Sequence, residues 1–320
     1  MPAALVPNRC PARRRRRILV AALAAVAGGA AAPSALACID VGVYQDNPAR
    51  LYPALTKAVG PGVSTVQTYV STGQRVDAKL LALVRARKLR LVVTWMPNNG
   101  SDGAKKPRYR LSAVAKGRFD TDLRALVKQL RPLNHGVILR PMPEPNTPWH
   151  AWSGLANGNT PARYVAAWKH VRKVVRGAAG TRVKLLWSPY ARSIPDTPAN
   201  AIAAYFPGAA QVDLVGVDAY NFGAKHGLAW STPGDLFAGA YEAIGPLAPG
   251  KPFWVTETGS TSAGGNKAGW ISDLAQLPAS IPTLQGVIWF DVKDPTGDFR
   301  IRSSPGTVKA FRTLLSGRCK

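Results

Sequence analysis

The stretch VILRPMPEPNTPWHAW, Val137 to Trp152, decides how the rest of the chain is read. Its first four residues, Val137-Ile138-Leu139-Arg140, have the apolar, β-branched character of a buried strand. Pro141, Pro143 and Pro145 end that run, because each fixes its own φ and removes a backbone donor. Glu144 sits between the last two prolines, and Asn146, Trp149, His150 and Trp152 follow. A strand therefore ends by presenting one carboxylate, with a loop rich in aromatic rings behind it.

Outward from this stretch, seven more segments share the strand character: IDVGVY (Ile39 to Tyr44), VSTVQTYV (Val63 to Val70), LRLVVTW (Leu89 to Trp95), VKLLW (Val183 to Trp187), VDLVGVD (Val212 to Asp218), PFWVT (Pro252 to Thr256) and GVIWF (Gly286 to Phe290). Helical patterns alternate with them. One runs from Asp77 with Leu80, Leu81 and Val84 on one face, and another bears Leu123, Leu126, Val127 and Leu130, with Asp120 or Asp122 as its cap. Thr160-Pro161 opens a third, carrying Tyr164, Trp168, Val171 and Val175 on one face. Further helices are expected near Gly234 to Ile244, Lys267 to Leu277 and Pro305 to Leu315, and a polar loop up to Lys116. Strands that are apolar throughout belong to a parallel sheet covered on both faces. Eight such repeats in roughly 280 residues predict an α/β chain folded as a single (β/α)8 TIM barrel. A doubly wound open sheet is the alternative, but no glycine-rich phosphate loop follows the first strand.

The N-terminal 37 residues read differently. Arg13 to Arg17 form a charged run, Ile18 to Ala32 an apolar one too short to span a bilayer, and Ala35-Leu36-Ala37 a small-x-small cleavage pattern. The expectation is a secretory signal peptide over 1–37, of twin-arginine type if Arg15 to Leu19 is read as such a motif, and one (β/α)8 domain over 38–320. The protein is then expected to be secreted and to have no membrane partner after cleavage. Loss of six arginines and no acid lowers the net charge from +25 to +19. The remaining basic residues are scattered, which reads first as a solvated surface and second as a field that attracts anionic cell-wall polymers. Nothing resembles a nucleic-acid-binding motif, and a monomer is expected.

The chemistry is read from strand ends, where barrels of this kind carry their catalytic groups. Residues 38–320 hold three glutamates, Glu144, Glu242 and Glu257. Glu144 follows the fourth strand and Glu257 the seventh, whereas Glu242 falls within a helix. Glycosidic bond cleavage needs two carboxyl groups in different protonation states, so a facing Glu144/Glu257 pair would suit it. The bland reading is a pair of strand-end acids bound to scattered Arg and Lys. Trp95, Trp187 and Trp289 near strand ends, Tyr190 and Tyr220 just beyond them, and Trp149 and Trp152 in the loop after Glu144 could offer ring faces to sugars. Core packing is the competing reading for each, and the preferred one for Trp168, Trp254 and Trp270. His135, His150, His170 and His226 lack ligand spacing, so no metal and no cofactor is expected. His150 lies near enough to Glu144 to line the site, although a lone loop histidine is more often merely exposed. No Gly-x-Ser-x-Gly elbow is present.

These residues resemble glycoside hydrolase family 26, whose best-known members are β-mannanases within the clan of retaining (β/α)8 glycosidases. Arg140 to Asn146 (RPMPEPN) lies over the family's R-P-x-H-E-M-N motif, with Trp149 and Trp152 behind it. The helix from Pro161 to Val175, LLWSPY (Leu185 to Tyr190), VDLVGVDAY (Val212 to Tyr220) and WVTETG (Trp254 to Gly259) are similar to later family segments in the same order. The resemblance implies Glu144 as acid/base, Glu257 as nucleophile, Tyr220 as a hydrogen-bond partner of the nucleophile, Arg140 as the charge beneath it and Trp289 as the platform under the sugar. Asn146, Trp95, Trp149, Trp152, Trp187 and Tyr190 complete the expected substrate surface. It also implies a retaining mechanism on a polysaccharide and a raised pKa for Glu144. The chain departs from the pattern at Pro143, which replaces the family histidine, and at Pro145, which replaces a methionine. Mannan, an exo mode, another glycan such as glucan, xylan or a wall polymer, and a non-catalytic glycan-binding barrel all stay open at this point.

Of three cysteines, Cys10 leaves with the signal, and Cys38 and Cys319 remain at the two ends of 38–320. Export favours their oxidation to one disulfide. Thiol titration of the exported protein under denaturing conditions should find no free thiol without reductant and two with it; two without reductant would refute the pairing.

Overall fold

The computed structural model describes residues 39–100, 103–133, 136–225 and 228–316. The expected signal over 1–37, both members of the expected Cys38–Cys319 pair, and His135 and His226 lie outside the described residues. The strands are β1 (Asp40–Tyr44), β2 (Thr65–Ser71), β3 (Arg90–Met96), β4 (Val137–Pro141), β5 (Val183–Trp187), β6 (Leu214–Asn221), β7 (Phe253–Ser260) and β8 (Leu284–Phe290). They pair in parallel in chain order, and β8 pairs back onto β1 to close the barrel. All the expected strands form. Five run further at their C-terminal ends than the apolar pattern suggested, β6 by three residues and β7 by four, so Glu257 lies within β7 rather than just after its end. Among the described residues no helix is long and apolar enough to cross a membrane.

The helices are α1 (Pro48–Val59), α2 (Ala78–Arg87), α3 (Leu111–Ala115), α4 (Asp120–Leu130), α5 (Pro161–Ala179), α6 (Pro233–Ile244), α7 (Lys267–Asp273), α8 (Leu277–Ser280) and α9 (Pro305–Ser316). The sequence pattern misses α1 because Pro48 and Pro53 disguise it. Pro48 stands in the first turn, where its missing N–H costs nothing, and Asn47 caps the helix by accepting from the Arg50 N–H at 3.1 Å. Thr160 caps α5 as expected, and Asp77 caps α2. Neither Asp120 nor Asp122 caps α4: Phe119 holds the cap position, and Asp120 is already helical. Its carboxylate turns instead to Arg124 at 3.0 Å and His170 at 2.7 Å.

Side chains of a strand alternate between the barrel interior and the helix layer. Val92, Ile138, Leu186, Leu214, Trp254 and Ile288 form the inner floor. Trp254 spreads across that floor over Gly286, where any Cβ would overlap its ring. One residue out of phase, Trp95, Trp187 and Trp289 face outward and join the large core between strands and helices. Their expected role as sugar platforms is thereby corrected, since all three are at most 1% exposed. Trp187 packs edge-on to Phe206 at 5.1 Å, and Trp289 packs on Trp270 of α7 and Phe311 of α9 at 5.8 and 6.2 Å. Alternation explains the error: a strand-end tryptophan looks available in sequence, but the adjacent position, Phe290 in β8, is the one that reaches the mouth.

Gly286→Ala should destabilise the barrel by about 1–3 kcal/mol, the range for overpacking a filled core. Urea denaturation followed by tryptophan fluorescence reads this shift, and an unchanged midpoint would contradict the packing of Trp254 against position 286.

Candidate active site

The end of β4 is a tight double turn. Met142 and Glu144 both adopt left-handed φ, 50° and 51°, on either side of Pro143. Such angles are uncommon for residues with a Cβ and persist where the surroundings hold them. Here the Glu144 N–H donates to the Ser188 carbonyl at 2.8 Å, and the Thr147 hydroxyl to the Glu144 carbonyl at 2.8 Å. The turn swings the Glu144 side chain over the barrel mouth. Its Oε2 accepts from the Trp149 indole N–H at 2.6 Å and lies 3.6 Å from His150 Nε2.

Glu257 reaches the same place from β7. The β6–β7 pairing slips by one residue between Val217 and Asp218, after which Asp218 stands opposite Glu257. Such irregularities re-aim side chains near active sites. Oε1 of Glu257 accepts from Arg140 and, at 3.3 Å, from the Gln67 amide; Oε2 accepts from the Tyr220 hydroxyl at 2.8 Å. Arg140 is buried and also donates to Asp218 Oδ1 at 3.0 Å, and the Thr256 hydroxyl donates to the same oxygen. Glu144, Asp218 and Glu257 each place an oxygen within 4.8 Å of the others. Three converging acids could attract a metal ion, but the Arg140 guanidinium already lies among them as the balancing charge.

Burial disfavours charge on each of these groups, and the neighbours decide the outcome. Burial acts against the charge on Arg140, yet Asp218 and Glu257 outweigh it and hold the guanidinium above its ordinary range. Burial pushes the Asp218 carboxyl up, while Arg140 pulls it down and Glu257 and Glu144 add to the upward push. Burial also pushes Glu144 up, but His150, Trp149 and Arg140 together hold it below its ordinary value. That reverses the expected raised value: Arg140 balances Glu257, the Trp149 indole donates to Glu144, and His150 stands beside the same oxygen.

The pair opens into two adjoining cavities. One, of about 560 Å³, contains Glu257, Arg140 and His150 and is walled by Tyr44, Tyr69, Phe290 and Phe299. The other, of about 720 Å³, contains Tyr190, Arg192 and Leu228. Glu144, Trp149, Tyr220 and Phe222 line both.

Of the residues singled out from sequence, Glu144, Glu257, Arg140, Trp149 and Tyr220 come together here, with Tyr190 edge-on to Trp149 at 5.6 Å. Asn146 and Trp152 do not reach the cavities, which corrects their expected contact with substrate. Asn146 is buried, donating to the Tyr190 carbonyl at 2.9 Å and the Ser193 hydroxyl at 3.2 Å, so it ties the β4 and β5 loops together. Trp152 is buried beneath His150, its ring parallel to the imidazole at 4.4 Å. Trp289 contributes at second hand: its indole N–H donates to the Phe299 carbonyl at 2.7 Å and fixes the segment that carries Phe299. The sequence reading passed over Gln67, Asp218, Tyr44, Tyr69, Phe222, Phe290 and Phe299. Gln67 carried a usable signal, a lone amide within the apolar run VSTVQTYV.

The family model of glycosyl hydrolase family 26 matches residues 92–232, a segment that includes Arg140, Glu144 and Tyr220. Endoglucanase H of Acetivibrio thermocellus is 27% identical over 230 residues, which cover 70% of this chain and 24% of that protein. The chain thus spans about a quarter of the length of this curated relative. Among solved structures, the family 26 domain of an endo-β-mannanase/endo-β-glucanase from Prevotella bryantii superposes with a TM-score of 0.63 at 12% identity, covering 85% of this chain and 88% of that one. A family 26 β-mannanase from Bacteroides ovatus does so with a TM-score of 0.62 at 14% identity, covering 87% and 88%. At these identities the likeness is one of fold, the (β/α)8 barrel.

Arg140→Gln would leave Asp218 and Glu257 buried without their cation. The variant should lose about 3–5 kcal/mol of stability, the range for breaking a buried ion pair from one side. A denaturation midpoint equal to that of the parent protein would show that Arg140 is not the balancing charge.

Proposed function

We propose that the chain is a member of glycosyl hydrolase family 26, whose model matches residues 92–232, and that it hydrolyses β-glycosidic bonds of a polysaccharide by retaining double displacement. The observation that carries this reading is the short gap between the two glutamates, whose nearest oxygens lie within 4.8 Å. Retaining pairs stand about 5–5.5 Å apart, whereas inverting pairs stand about 6.5–9.5 Å apart to admit a water. Glu257 is the nucleophile, steadied at one oxygen by Arg140 and Gln67 and at the other by Tyr220. In the first step its carboxylate bonds to the anomeric carbon while Glu144 gives a proton to the departing glycosidic oxygen. In the second, Glu144 takes a proton from water, the water oxygen bonds to the same carbon, and Glu257 is released. Glu144 has to be protonated as the leaving oxygen arrives; a bound saccharide excludes water and pushes its carboxyl upward, against the donors that hold it down.

A chain that enters one cavity and leaves by the other would pass the glutamate pair in mid-length, which supports internal cleavage. Endoglucanase H supports a β-glucan as the first substrate to test, as does Pro143 at the place of the mannanase-like histidine. Mannan is the second reading, favoured by the mannanases among the fold relatives. Residues 1–37 are proposed to direct export, leaving 38–320 as the secreted hydrolase domain.

Reducing-end release from barley β-glucan, carboxymethylcellulose and β-mannan tests the reading. Glucan should be cleaved fastest, with β-configured products at early times. Glu144→Ala and Glu257→Ala should each lower turnover by about a thousandfold or more. Azide should rescue Glu257→Ala with a product of inverted configuration. Near-normal activity in either variant, or no release from any glycan, would overturn the assignment.

A further inference from the structure

Pro143 brings no side-chain donor to the residue it precedes, yet Glu144 has a second ring nitrogen beside it. His150 is placed there by a closed chain of contacts. The Pro143 carbonyl accepts from the Trp152 indole N–H at 2.7 Å. Trp152, fully buried, stacks on the His150 ring with an interplanar angle of 8° and centroids 4.4 Å apart. The His150 backbone N–H donates to Ser153 Oγ at 3.0 Å, which fixes the ring from the main-chain side. The imidazole is then largely buried in the cavity wall, with Nε2 3.6 Å from Glu144 Oε2. That separation is just beyond hydrogen-bond reach, and contacts of this kind tighten when substrate is bound.

We propose that His150 is a positioning residue for the acid/base: with a proton on Nε2 it joins Trp149 in holding Glu144 Oε2, so that Oε1 carries the transferable proton to the glycosidic oxygen. This rests on the reading of Glu144 given above. Trp149 and His150 approach the same oxygen. A carboxyl group pinned at one oxygen by two rings can turn neither its face nor its syn edge away from the cleavage point. A transferable proton held on the free oxygen is then already aimed. Pro143 takes part through its carbonyl, which anchors the tryptophan on which the imidazole rests.

Leaving-group dependence separates this role from simple packing. Phenylalanine at position 150 keeps the flat ring on Trp152 and removes both nitrogens. With His150→Phe, kcat/KM should fall about tenfold to a hundredfold on the glycan, whose leaving group needs a proton, and less than about threefold on a 2,4-dinitrophenyl glycoside of the same sugar, whose leaving group does not. His150→Gln restores a donor of similar reach and should recover at least part of the glycan activity. Equal loss on both substrates, or no loss on the glycan, would overturn the proposal. If His150→Phe is too unstable to assay, His150→Gln alone decides it: loss on the aryl glycoside as large as on the glycan refutes the role. Should the parent protein cleave no glycoside at all, it is the functional reading that fails. A parent that cleaves glycan, with a His150→Phe variant that matches it, refutes this inference alone.

Discussion

The site is built on one fully buried cation. Arg140 leaves β4 toward the barrel axis and is 1% exposed. A charge there is tolerable only if opposite charges meet it at good geometry. Asp218 from β6 and Glu257 from β7 do so, and this need ties three strands to one another. The slip in the β6–β7 pairing belongs to the same arrangement, because it sets Asp218 and Glu257 side by side. Gln67 from β2 and Tyr220 from β6 then take what remains of the Glu257 oxygens. The Glu257 carboxylate is thus held by groups that also tie the barrel strands together.

Above this polar layer the barrel sorts its aromatic rings by phase. Tyr44, Tyr69, Phe290 and Phe299 wall the mouth, while Trp95, Trp187 and Trp289 are shut between strands and helices. The two sets are connected. Trp289 holds the Phe299 carbonyl, and the Lys267 ammonium donates to the neighbouring Asp298 and Arg300 carbonyls at 2.9 and 2.8 Å. A tryptophan in the wall therefore decides where a phenylalanine stands at the mouth.

That division marks what the sequence discloses. Eight apolar runs and most of the helices between them are legible because each is a local pattern of fixed period. Glu144 and Glu257 are legible because acids are scarce in this basic chain and these two fall at the top of strands. Which of two adjacent aromatics faces inward is harder to read, since a shift of one residue reverses every side chain and the strand ends fix the phase poorly. The Glu144 environment was hidden for another reason: its partners His150 and Trp149 are loop residues, and the loop path depends on the left-handed turn at Met142 and Glu144. Asp218 was hidden inside VDLVGVD, where an acid closing an apolar strand gives no hint that Arg140 waits opposite.

The prolines around Glu144 make physical sense only with that loop in view. Each removes a backbone donor and narrows the conformations open to the unfolded segment. The carbonyls of the two that flank Glu144 are both used nearby. The Pro143 carbonyl receives Trp152, and the Pro145 carbonyl receives the Gly154 N–H at 2.7 Å. The Asn146 carbonyl receives the Ile194 N–H at 2.9 Å and the Asn200 amide at 3.0 Å, which binds the loop to its neighbour after β5. A loop fixed in this way has little conformational freedom left. Its indole and imidazole are held beside the Glu144 carboxyl, and for the function proposed above that would keep reorganisation small. Proline at 143 thus exchanges a side-chain donor next to the glutamate for a rigid support that carries other donors back to it.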